Sequence, residues 1–188
     1  MATTDPDRLH YTGNDEADEL LAREPFALLI GFALDQQVPV QTAFSGPLKL
    51  KQRLGTLDPG KIAATDPARL EEVFREKPAI HRFPGNMAKR VQDLAAVVVE
   101  DYGGDAERIW SEAADGTELR RRISALPGFG DMKIKAFGAV LAKRFGVEAA
   151  RELDPGHPTL GDVDSPEALE EYQAKKRAYK ASMRAARS

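Results

Sequence analysis

The chain has 188 residues with 27 basic and 30 acidic side chains, a net charge of −3, three histidines and no cysteine. Without cysteine there is no disulfide scaffold, thiolate nucleophile, cysteine zinc site or iron–sulfur cluster, and His10, His81 and His157 are too scattered to predict a metal site built from side chains. The longest apolar stretch, Phe26 to Leu34, is too short for a bilayer, and the acidic start is unlike a signal peptide; a cytoplasmic protein without membrane association is expected.

Residues 1–19 show no apolar period and read as a polar lead-in. From Leu20 to Gln36 apolar residues are dense enough for a helix buried on most sides, its buried part opened by Pro25 at a first-turn position where the missing N–H costs nothing. Pro39 separates off a second helix over 39–54, ended by Gly55. Asp66-Pro67 is a cap followed by a first-turn proline and starts a helix running to about Lys77. Pro84-Gly85-Asn86 turns into a long helix over 86–101, with a Leu94, Val97, Val98 stripe and a stop at Gly103-Gly104. Short helices follow over 105–113 and 116–125.

Next comes Leu126-Pro127-Gly128-Phe129-Gly130, a tight turn before a helix over 131–145 with Ile134, Phe137, Val140, Leu141 and Phe145 as its apolar face. Past Gly146 the chain is polar through Asp154-Pro155-Gly156-His157-Pro158, and a charged helix over 166–186 starts at Pro166. That last helix has few large apolar residues, so loose docking is expected. No stretch alternates at period two, and the reading is all-α with eight or nine helices. Three parts follow: the lead-in, a body over 20–164 and a charged C-terminal helix over 165–188.

The modest net charge conceals a segregation. Residues 1–24 carry a net −5 and residues 120–146 a net +6; the last fourteen residues hold six bases and no acid. Distribution matters more than the sum for a nucleic-acid partner. The basic middle segment contains the turn at 126–130. Two glycines spaced by one residue let the backbone turn at positive φ and come close to another molecule. Free amides of the turn then join the N-terminus of the next helix, a phosphate-binding arrangement. Lys133 and Lys135 follow in the first turns. By itself, Trp110 reads as core, and His81 and His157 as surface-loop histidines.

The stretch Ile123 to Phe137, with the hairpin inside it, resembles the signature of the helix–hairpin–helix DNA glycosylases, the HhH-GPD superfamily. Leu29 to Ala43 is similar to the family's early buried helix and its Gln-containing loop, and Phe83 to Ala95 to a later Gly and Lys-Ala stretch, so the resemblance covers about 25–157. It implies a two-lobed all-α glycosylase fold with the hairpin at 126–131, acting on duplex DNA. In alkylpurine glycosylases the loop supplies a wedge for the gap left by a flipped base; by position Gln37 matches it, with Gln36 beside it. The DNA-contacting set implied is Gln36, Gln37, Gly128, Phe129, Gly130, Met132, Lys133 and Lys135. A monomer is expected, with a monovalent cation on the hairpin carbonyls as the one cofactor the family suggests.

Family members that also cut the backbone place a lysine two residues past the last hairpin glycine, where this chain has Met132; Lys133 comes one residue later, turned by about 100° around a helix. A monofunctional glycosylase is therefore implied, with Lys133 a phosphate ligand before it is a nucleophile. The family's catalytic aspartate is matched by Asp154, 24 residues beyond Gly130 and a few more than the family's spacing. It would stabilise the oxocarbenium-like sugar and orient or deprotonate water. Asp-Pro-Gly is equally a turn sequence, and Asp162, Asp164 and Asp35 stand behind Asp154, the last because it adjoins the Gln loop. The zero cysteine count selects the cluster-free branch. A second reading stays open, a non-catalytic hairpin protein that recognises lesions or DNA structure, and a third is a scaffold whose hairpin binds protein.

Overall fold

A computed structural model describes residues 6–187. Ten α-helices and two 3-10 turns make up the described chain: α1 Asp15–Arg23, α2 Pro25–Leu34, α3 Val40–Leu54, α4 Pro59–Ala64, α5 Pro67–Arg75, α6 Pro84–Tyr102, α7 Arg108–Ser111, α8 Gly116–Ser124, α9 Asp131–Phe145, the turns Glu148–Leu153 and Leu160–Asp162, and α10 Pro166–Arg187. Five of these helices open on a proline, which fixes φ and lacks the N–H that a first turn cannot use. Asp58 and Asp66 cap α4 and α5 through their carboxylates, while Gly55, Gly103 and Gly146 end α3, α6 and α9 in the left-handed conformation.

The helices fall into two groups. α1 to α6 pack on one another; α8 and α9 pack with the two 3-10 turns, and α7 and the start of α10 join them. Between the groups lies α2, buried from Phe26 through Leu34. A run of aromatic rings crosses the boundary: Tyr11 meets Phe44 at 5.0 Å between centroids, Phe44 meets Phe32 at 5.1 Å, and Phe32 meets Phe137 of α9 at 4.9 Å. Phe137 also touches Trp110 and Phe129, so the Trp110 ring is core as its sequence setting suggests. Gly31 makes this possible, because a Cβ there would sit 2.5 Å from the Phe44 ring.

Three local outcomes differ from the sequence reading. The expected polar lead-in joins the core: Leu9 and Tyr11 are buried, the Tyr11 hydroxyl donates to Leu160 O at 2.9 Å, and Asn14 caps α1. Two apolar residues in a short segment cannot establish a period, so pattern alone misses them; residues 1–5 of that segment lie outside the described chain. α4 was too short to announce itself, although Asp58-Pro59 is the same cap-and-proline start as Asp66-Pro67. The helix expected over 105–113 shrinks to four residues. The last helix behaves as expected, burying only Leu169. Its docked end is held by a reciprocal amide pair between Gln41 and Gln173, at 3.3 and 2.9 Å. Among the described residues no helix is long and apolar enough to cross a membrane.

Candidate active site

The hairpin joins α8 to α9. Gly128 adopts φ +84, and a Cβ there would lie 2.7 Å from the Arg90 side chain, so both backbone and space demand glycine. Gly130 differs from the expectation of two left-handed glycines: its φ is −87°, and a Cβ would meet nothing within 4 Å. Its surroundings within the chain do not require glycine. Gly130 is the N-cap of α9 and no side chain caps that helix, so the amides of its first turn lack a partner within the helix and face outward.

The side chains near the hairpin divide sharply. Met132 stands 86% exposed, while the Phe129 ring is buried 5.9 Å from Phe137 and leaves only its backbone to an outside partner. Lys135 pairs with Asp131 at 3.2 Å, and Arg120 also binds that carboxylate. Together they hold the Asp131 carboxyl below the usual carboxylate range, Lys135 contributing most. Lys133 turns inward, its Nζ 3.5 Å from Ala33 O and 5.8 Å from the centre of the Phe129 ring.

That contact places the hairpin against the end of α2. The last carbonyls of a helix have no partner within it, and here side chains from elsewhere serve them. Lys133 reaches Ala33 O, and His81 Nε2 donates to Leu34 O at 3.0 Å and Gln36 O at 3.1 Å. Phe83 N–H donates to His81 Nδ1 at 3.0 Å, which puts the ring proton on Nε2 and makes the imidazole neutral. Burial accordingly pushes the His81 pKa down. His81 is thus a buried strut and not the surface-loop histidine expected; His157 is exposed, as expected.

Beyond α2 lie Gln36 and Gln37. The Gln36 Oε1 accepts from Arg90 at 2.6 Å, and Arg90 also packs on Gly128, so one guanidinium ties the loop to the hairpin. Gln37 is exposed at φ +58, the one non-glycine at positive φ among the described residues. Such a conformation costs about 1–2 kcal/mol and marks strain at a loop tip. Arg90 escaped the sequence reading. Its signal was a basic residue shortly after Gly85, in a stretch already linked to the family.

Asp35, the C-cap of α2, is half-buried, and its carboxylate has no hydrogen bond or ion pair among the described residues. Burial pushes its pKa up, against the lowering influence of Lys176, Lys133 and Lys180. Burial likewise pushes Lys133 down to about 8, with Asp35 opposing. Tyr172 of α10, beside the same carboxylate, is pushed up to about 12, chiefly by burial and then by Asp35 and Asp162.

Asp154 lies elsewhere. Its carboxylate pairs with Lys143 at 3.3 Å and accepts Gly156 N–H at 3.0 Å, closing the turn after Leu153. Asp162 shares Lys143 at 2.5 Å and accepts Thr159 N–H at 2.9 Å, and Asp164 is exposed. Lys143 is ten residues from Lys133 on α9, about 15 Å at the rise of a helix. The hairpin, Gln36, Gln37, Lys133 and Asp35 therefore come together at one end of α9, while Lys143, nearer its other end, holds Asp154 and Asp162, the latter also within electrostatic reach of Tyr172. No cluster of His, Asp and Glu among the described residues is arranged to hold a metal.

An all-helical body that offers an uncapped helix end, a glycine hairpin and a strained glutamine loop on one side defines a helix–hairpin–helix protein. The family model for the HhH-GPD superfamily base excision DNA repair protein matches residues 30–185, and the chain belongs to that family. Its role is base excision DNA repair of the glycosylase type, with DNA as its partner. No curated protein and no solved structure matches the chain.

Proposed function

We propose that the protein is a monofunctional DNA glycosylase that hydrolyses the N-glycosidic bond of a damaged base flipped from duplex DNA. The observation that carries this reading is the uncapped N-terminus of α9 at Gly130, open to solvent beside the exposed Gln37 loop. A backbone phosphate seated on those amides brings the adjacent nucleotide to the loop, where Gln37 fills the stack. Bare amides and a helix terminus grip phosphate without reading sequence, which suits an enzyme that searches many sites. The carbonyls of Gly128 and Phe129 accept no backbone hydrogen bond among the described residues. They fit a monovalent cation, which would steady the turn through backbone oxygens.

The absence of a lyase step is supported by Met132, which has no amine, and by the inward course of Lys133. Hydrolysis also needs a carboxylate near the sugar. The chain offers Asp154 through its resemblance to the family and Asp35 through its place at the hairpin end. The test is base release from duplexes carrying uracil, alkylated, oxidised or mismatched bases, with product strands that break only after alkali. A Cβ at Gly130 meets nothing within 4 Å, so Gly130→Val should still fold, losing no more than about 1 kcal/mol from the poorer N-cap, while duplex affinity falls at least tenfold. Undiminished affinity would remove the hairpin from the interface. Cleavage without alkali would contradict the monofunctional reading.

A further inference from the structure

We propose that Asp35, at the end of α2 between the Gln37 loop and the hairpin, is the carboxylate that takes a proton from the attacking water during base release, in place of Asp154. This rests on the glycosylase reading. Placement is the first argument. Lys133 Nζ lies on Ala33 O, two residues before Asp35, so the start of α9 and the Asp35 carboxylate share one corner. Gln36, next in the chain, is held by Arg90, which packs on the hairpin glycine. A sugar gripped by the hairpin and wedged by Gln37 lies beside that corner. Asp154 is engaged by Lys143, which sits ten residues further along α9 than Lys133.

The state of the carboxylate is the second argument. Asp35 is half-buried, and no hydrogen bond within the chain occupies its carboxylate among the described residues. Its neighbours are cationic or phenolic: Lys133 from α9, and Lys176, Lys180 and Tyr172 from α10. Arg90 and His81 stand behind Lys133. None of these closes an ion pair with Asp35, which leaves its oxygens free for a water or a sugar. A carboxylate whose pKa is raised by burial is a better base than an exposed one.

In the step, the water oxygen bonds to C1′ of the sugar as the C1′–N bond breaks. The electron pair of that bond passes to the base nitrogen. The water's proton goes to Asp35 and from there to the departing base. Lys133 contributes a positive charge that keeps Asp35 ionised until the proton arrives.

The deciding experiment measures single-turnover base release, on the duplex panel, by wild type, Asp35→Asn and Asp35→Glu. Asp35→Asn should lose at least a hundredfold in rate, with duplex affinity within threefold and an unchanged melting transition. Asp35→Glu should recover part of the rate, and the wild-type rate should rise with pH through a titration above the usual carboxylate range that the Asn variant lacks. Wild-type rates in a folded Asp35→Asn variant would overturn the role of Asp35 and leave the glycosylase reading standing. No base release by the wild type on any duplex would defeat that reading, and the role of Asp35 with it.

Discussion

The two ends of α9 carry the same kinds of charge in opposite conditions. At the far end, burial works against Asp162, yet the Lys143 ammonium and Thr159 N–H hold its carboxyl below the usual range, and Lys143 is raised by its hydrogen bond to Asp162. At the hairpin end, burial raises Asp35 and lowers Lys133 towards about 8, with no direct pair between them. Pairing drives the two pKa values apart; burial without pairing draws them together. The first arrangement resists proton movement and belongs to architecture. The second makes proton transfer cheap, the condition expected where chemistry is done.

The largest expected effect in breaking this contrast falls on His81, which holds the end of α2 on which Asp35 sits. His81→Ala removes a buried ring and strands Leu34 O and Gln36 O, and should cost about 2–4 kcal/mol in urea unfolding. The wild type should also lose stability as pH falls below 6.5, because the unfolded imidazole takes a proton there that the folded one takes only at lower pH. A variant that unfolds like the wild type and shows the same acid dependence would mean that the strut is not needed.

Lys133→Met comes next. Between about 8 and 10.5 the unfolded chain keeps a proton on Lys133 that the folded protein has released, so wild-type stability should rise with pH across that window. The variant should lack this contribution, while at pH 7 relief of the buried charge and loss of the bond to Ala33 O oppose each other and leave its stability within about 1 kcal/mol of the wild type. An unaltered alkaline profile would mean that Lys133 is solvated and the asymmetry between the ends is false.

The smallest effect is expected at the far end. Lys143→Met breaks partly exposed pairs with Asp154 and Asp162 and should cost no more than about 1 kcal/mol, with base release unchanged in single-turnover assays. A fall in rate there would move the chemistry to Asp154.

Much of the architecture was legible in glycine and proline. Pro25, Pro67 and Pro166 marked helix starts, Gly55, Gly103 and Gly146 marked stops, and the 126–130 turn stood out by composition. These residues act through local backbone geometry, which sequence carries directly. The site was legible only as residue types. Which way Lys133 points depends on a rotation of about 100° per residue around α9, and what it meets lies a hundred residues earlier, at Ala33. The burial of His81 likewise depends on carbonyls 47 residues away. The pairing of Asp154 with Lys143 follows from how the segment after α9 folds back on it, which the Asp-Pro-Gly turn alone does not specify.

The hydrogen bond from Tyr11 to Leu160 O joins positions 149 residues apart. A chain made from its N-terminus must therefore keep Tyr11, and the aromatic run it starts, waiting until nearly the whole polypeptide has emerged. Contacts this distant in sequence slow folding, since the loop must close before the contact forms. Until the last third is made, the Tyr11 hydroxyl lacks its buried acceptor and the Phe32 ring lacks Phe137. During synthesis the nascent protein thus presents an apolar surface that its own last third must cover, which makes that interval its period of greatest exposure to chaperones and to aggregation.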